Sequence, residues 1–191
     1  VGTGLRYIYS SLADGTVGGQ KVNHGSSIGL DLAALYKSNS FNIINRQASF
    51  NAGINLSNIG PGLQYTDNAN KDPLPTMLRA GWAYTMDLDN LGMNTITVTN
   101  DISKIMARNE ETTNDAGDVV YESMGVVEAL FNSWGSYERF NGSETVSVGL
   151  MDQLMFGFGL EYWYNNLFAL RSGYYYEHPE NGNREFITLG A

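Results

Sequence analysis

His24 and His178 are the only histidines in the chain. Neither stands at a metal-ligand spacing from an Asp or Glu, and both read as isolated loop imidazoles. No serine sits in a Gly-x-Ser-x-Gly elbow, so none is singled out as a nucleophile. Cysteine is absent, which removes thiolate catalysis, thiolate metal sites and a disulfide framework. The Glu110-Glu111 pair lies in a polar stretch and reads as solvated loop rather than an acid–base couple. Gly-x-Gly runs at 2–4 and 157–159 fall inside alternating segments instead of opening a helix, so they lack the context that cradles phosphate. These residues select no catalytic group, cofactor or metal, and the chain is expected not to be an enzyme.

The remaining charges are informative through their phase. Arg6, Asp31, Arg79, Glu161, Arg171 and Glu177 all alternate with apolar neighbours and share a face with glycine, serine and threonine. Such a face suits the inside of a transmembrane β-barrel, where the lumen is polar and lipid takes the apolar face; Arg or Lys on the lipid face would cost roughly 2–4 kcal/mol at the midplane. Both signs are present, so the simpler role is a lumen-filling network of ion pairs. A selective channel is the sharper alternative.

The elements that carry these charges follow from period-two alternation. Phe156, Phe158, Leu160, Tyr162 and Tyr164 share one face, with Gly157, Gly159, Glu161 and Trp163 on the other. Asn165-Asn166 then suits a tight hairpin turn, because Asn tolerates positive φ. The return arm sets Phe168, Leu170, Ser172, Tyr174 and Tyr176 against Ala169, Arg171, Gly173, Tyr175 and Glu177. About eight such strands are expected, near 1–11, 25–37, 41–56, 76–87, 93–101, 147–164, 167–177 and 184–191. Links at 37–40, 88–92 and 165–166 are short, whereas 12–24, 57–75 and 102–146 are long. Outer-membrane barrels sort their connections in this way, with short turns at one end and long external loops at the other.

The chain has 191 residues and a formal net charge of −9, a balance opposed to nucleic-acid binding, which needs a basic footprint. Mean hydropathy is −0.25, and no apolar run approaches the roughly 20 residues of a membrane helix. Alternating strands hide from both measures. The sequence opens and stops inside alternating segments. Residues 1–191 are therefore expected to be a single barrel domain, a C-terminal portion of a longer chain truncated at both ends.

Within the long external insertion at 102–146, residues 108–117 read as exposed and polar. Met124, Val127, Leu130, Phe131 and Trp134 follow helical spacing, with Ser123 as a candidate N-cap. A loop helix packed on the barrel mouth is the plainer expectation, and a partner contact the sharper one. Tyr7, Tyr36, Trp82, Tyr84, Tyr162, Tyr164, Tyr174 and Tyr176 are expected near strand ends, where an amphipathic ring suits the membrane–water interface.

The stretch Gly159-Leu-Glu-Tyr-Trp-Tyr-Asn-Asn-Leu-Phe-Ala-Leu-Arg-Ser-Gly-Tyr-Tyr-Tyr-Glu-His-Pro-Glu-Asn-Gly-Asn183 closely resembles a hairpin of the PorV family of type IX secretion proteins. Gly4–Tyr9, Asn55–Gly60 and Asp72–Gly81 resemble further segments of that family, the last being shared with FadL-like transporters at large. The resemblance implies an all-β, antiparallel FadL-like barrel of about fourteen strands in the outer membrane of Bacteroidetes, with loops at the cell surface. It also implies a non-enzymatic role: association with the translocon barrel (Sov or SprA) and receipt of secreted cargo bearing a C-terminal signal domain. A FadL-like channel for hydrophobic molecules is the second reading, and a soluble β-sandwich binding module the third.

Overall fold

The computed structural model describes residues 1–11, 15–17, 20–65, 71–113, 119–140 and 143–191, so parts of all three long connections lie outside the described residues. The strands are β1 (Gly2–Ser10), β2 (Thr16–Val17), β3 (Gln20–Lys21), β4 (Gly25–Lys37), β5 (Phe41–Ile43), β6 (Arg46–Ile59), β7 (Met77–Asp87), β8 (Thr95–Ile105), β9 (Asn109–Thr113), β10 (Val119–Ser123), β11 (Tyr137–Phe140), β12 (Thr145–Val148), β13 (Leu154–Tyr164), β14 (Phe168–Glu177) and β15 (Glu185–Gly190). Helix α1 spans Val126–Asn132, and a 3₁₀ turn covers Met151–Gln153.

One antiparallel sheet runs β1-β4-β6-β7-β8-β13-β14-β15, with β5 pairing the start of β6. Consecutive strands neighbour one another throughout, as in an up-and-down barrel wall. The sheet is open, and it has the all-β antiparallel form of a barrel fragment. No described helix is long and apolar enough to cross a membrane, which bears on helices alone.

Alternation decides the two faces. Register sets Phe158 opposite Asn100 and Tyr174, Leu160 opposite Val98 and Ser172, and Tyr162 opposite Ile96 and Leu170. On the same face lie Leu5, Tyr7, Ile28, Leu30, Leu56, Leu78 and Trp82. Phe158, Leu160 and Leu170 stand about half exposed, as do Leu5, Ile28 and Ile54 or more so. A water-soluble sheet would cover such a face. Buried apolar side chains instead gather mainly at the long-loop end, at Leu74, Met106, Met124, Ala129, Val148 and Met155.

The expected strand near 41–56 is interrupted. Ile44 and Asn45, at φ 51° and 57°, turn the chain between β5 and β6. The expected strand near 147–164 breaks at Leu150, which adopts helical dihedrals before the 3₁₀ turn. Asp152 accepts the Gly149 N–H at 2.9 Å and fixes that break. Strand β8 continues to Ile105, so the excursion between β8 and β13 covers 106–153 and holds two hairpins, β9–β10 and β11–β12, that alternation does not announce.

At the short-link end, Asn165 and Asn166 both take positive φ, 50° and 54°. The Leu167 N–H donates to the Tyr164 carbonyl, and pairing resumes with Phe168 opposite Tyr164, so three residues rather than two lie outside the ladder. This turn is tied to the next one: Asn166 N–H donates to the Met93 carbonyl at 2.9 Å, and Asn165 N–H donates to Asn94 Oδ1 at 3.3 Å. The Asp89 carboxylate accepts the N–H groups of Leu91, Met93 and Asn94 and the Asn94 side-chain amide. Those donors, the Asn94 amide first, hold the Asp89 pKa down to about 2.

Candidate functional site

On the face opposite the apolar one, here called the inner face, two pairs of charged side chains join neighbouring strands. Arg6 donates to Asp31 at 2.5 Å, joining β1 to β4. Glu161 and Arg171 face each other in register and bond at 2.5 Å, with Trp163 Nε1 donating to the second Glu161 oxygen. Asp31 has a further task. Between Leu30↔Ile59 and Leu32↔Leu56, β4 has one residue and β6 has two. This β-bulge leaves the Asn58 N–H without a ladder partner. Asn58 sits at φ 59°, and its N–H donates to Asp31 at 2.9 Å.

Arg79 reaches only the Met77 sulfur and has no ion pair among the described residues. Asp101 also faces inward and escaped the sequence reading. It lies in register between Gly81 and Gly157, and a Cβ at Gly81 would fall 2.5 Å from its carboxylate. Gly159 and Gly173 make room for Thr99 and Thr188 in the same way. Asn51, Asn55, Arg79, Thr99 and Asp101 share the lining of an open groove of about 700 Å³ with Ala33, Leu35, Ile54, Trp82 and Ala83, and its surface is mostly apolar. Balanced charge and direct pairing suit a polar-filled wall rather than an acid–base couple. Among the described residues no cluster of three or more His, Asp or Glu converges as metal ligands.

Glu177, also inward, is 2% exposed and bonds Arg184 through both oxygens. That bond holds the Arg184 guanidinium above its ordinary pKa. The loop between β14 and β15 wraps this carboxylate so closely that a Cβ on Gly182 would meet it at 2.6 Å. His178 lies 3.4 Å from Asp152, and His24 lies beside the Tyr9 ring.

The excursion folds back over the outside of the wall. Lys104 shares the outward face with Leu78 and Leu154, yet it is buried, with Trp134 over its ammonium at 5.7 Å. Met106 is buried against Ser133. Arg108 donates to the carbonyls of Ser133 and Gly135 and to Gln153, and its guanidinium lies over the Tyr137 ring. Asn181 bonds the Gln153 carbonyl, and Arg139 bonds the Glu180 carbonyl, so the β14–β15 loop joins the same external body.

Helix α1 belongs to that body, but Ser123 does not cap it. Gly125 is the N-cap without a side-chain bond, while the Ser123 hydroxyl ends β10 and bonds Lys71 and Asn109. Met124 is buried and Leu130 half-buried; Val127, Phe131 and Trp134 are exposed, Phe131 at 75%. Among the aromatics, Tyr36, Tyr84, Tyr162 and Tyr164 stand toward the short turns, and Tyr7, Tyr174 and Tyr176 toward the long loops. Trp82 lies midway along β7, opposite Asn100.

A family model described as the type IX secretion system protein PorV matches residues 1–111. The matched stretch holds Gly4–Tyr9, Asn55–Gly60, Asp72–Gly81 and the Asp31–Asn58 bulge, whereas the 159–183 hairpin and α1 lie beyond it. No curated protein matches the chain. The match takes in more than half of the 191 residues, and it falls on strands β1 to β8 of a wall whose apolar face is uncovered: the chain belongs to the PorV family of type IX secretion system proteins.

Proposed function

We propose that this chain is the wall of an outer-membrane barrel that serves as a non-enzymatic adaptor in type IX secretion. Its apolar face meets lipid and docks on the translocon barrel, and its external body receives cargo carrying a C-terminal signal domain. The family match carries the secretion role. The exposed apolar wall supports the membrane reading. The body built on Arg108, Gln153 and Asn181 supports the partner reading, because it presents Val127 and Phe131 to solvent instead of burying them.

The test is recovery of the complex from native membranes. Phe131→Asp with Trp134→Asp is expected to lower co-purification of signal-bearing cargo at least several-fold while the barrel still assembles. Co-purification unchanged from wild type, with normal barrel levels, would remove α1 from the interface. A channel for hydrophobic molecules is the second reading, because Ala33, Leu35, Ile54 and Trp82 line the groove beside Asn51, Asn55, Arg79 and Asp101.

A further inference from the structure

The short-turn end of the wall carries large aliphatic side chains at its extremities. Ile44 is 90% exposed, Leu91 80% and Leu167 86%. Exposed Phe41, Ile43, Leu88, Met93, Tyr164 and Phe168 connect these tips to the apolar wall without a gap in character. Ile44 is also β-branched at φ 51°, a conformation that Asn or Gly takes with less strain. A turn standing in water would gain nothing from isoleucine there.

The link at 37–40 is polar, with Lys37 and Asn39 exposed, but in the turns that carry Leu91 and Leu167 the backbone donors are satisfied internally. Segments 41–45, 88–94 and 164–168 contain one charged residue, Asp89, and its carboxylate is folded back on three N–H groups of its own turn. The N–H groups of Asn165, Asn166 and Leu167 are all bonded to protein oxygens. Irregular backbone at membrane depth needs this internal satisfaction, because hydrocarbon offers no partner.

Height agrees. Glu185, on the outward face opposite Tyr176, marks the long-loop end of the exposed apolar wall. A strand rising ~3.3 Å per residue at a tilt of ~40° crosses an apolar band ~25 Å tall in about ten residues. About ten residues down β14 from Tyr176, the partner of Glu185, lies Asn166, at the turn itself.

We infer that this rim is sunk into the acyl–headgroup boundary of the adjoining leaflet, with lipid as the occupant around Ile44, Leu91 and Leu167. The inference rests on the proposed lipid-facing wall, and its test separates the two. Residues 1–191 contain no cysteine; single Leu91→Cys, Leu167→Cys, Leu170→Cys and Glu138→Cys variants of the full-length protein, with any cysteine elsewhere in it replaced by serine, each carry one nitroxide in phospholipid vesicles. Accessibility is read with oxygen, which partitions into lipid, and with a water-soluble nickel chelate. The oxygen-to-chelate ratio at 91 and 167 is expected to resemble that at 170 on the wall and to exceed that at 138 on the external body. A ratio at the tips equal to that at 138, with 170 still oxygen-rich, overturns the inference and leaves the wall intact. Tips shielded from both reagents would mean a protein occupant and also overturn it. A chelate-accessible label at 170 brings down the wall and the rim together.

Discussion

Gly60 shows how tightly single residues are placed at the end of β6. A Cβ there would fall 1.9 Å from the Ile28 carbonyl oxygen, a backbone atom with little freedom to retreat. Gly60→Ala is expected to destabilise the wall by about 1–3 kcal/mol through overpacking. Gly2→Ala, with nothing within 4 Å, should change stability by less than about 0.5 kcal/mol. Unfolding midpoints of the reconstituted protein in urea compare the two. Asp89 gives a pH signature. Its pKa falls from an ordinary 3.8 to about 2 in the folded turn, so its stabilisation is complete above about pH 4 and is lost as pH drops through about 2. Amide exchange in 88–94 should accelerate over that window, and Asp89→Asn should abolish the dependence. The paired charges were legible from their phase against apolar neighbours. Asp101 was not, because it lies in a threonine-rich strand where the two faces contrast weakly, at the expected end of that strand.

Elements were readable where alternation was clean. Strands β1, β4, β7 and β14 fall within a few residues of their expected bounds, and β13 ends where expected, since each sets aromatic or aliphatic side chains against glycine and charge. The breaks at Ile44 and Leu150 were illegible because both are apolar residues in phase with their neighbours, and only their dihedrals depart from a strand. The strands of the β9–β10 and β11–β12 hairpins are only four or five residues long, too short for alternation to stand out. In the α1 region the apolar spacing was visible, but its start was misplaced by a serine bound to another loop. The β13–β14 turn depends on left-handed backbone at both asparagines. Replacing Asn166 by Gly should be nearly neutral, whereas Asn166→Val should cost on the order of 1–3 kcal/mol. Refolding yield and unfolding midpoint of the two variants report the difference.

At the scale of the whole molecule, the orientation of the sheet follows from which face tolerates charge. Phe158→Arg near mid-wall is expected to destabilise the membrane-inserted protein by roughly 2–4 kcal/mol. Ala83→Arg, on the face that already holds Arg79 and Asp101, should cost much less, and parallel unfolding of both in vesicles measures the contrast. Net charge and hydropathy hinted at neither outcome, because an alternating wall averages to nothing.

The excursion laid across the outer side of β8 has a consequence for the bilayer itself. By covering Lys104 and Met106 it shortens the oily height of the wall at β8 and β13, while Tyr7, Tyr9 and Ile28 leave β1 and β4 bare. On the proposed lipid-facing wall, acyl chains along the shortened flank would compress, at fractions of a kcal/mol per ångström. A neighbouring protein with an equally low hydrophobic belt relieves that deformation by settling there. Thickness alone would then sort companions to one side of the molecule, ahead of any specific bond.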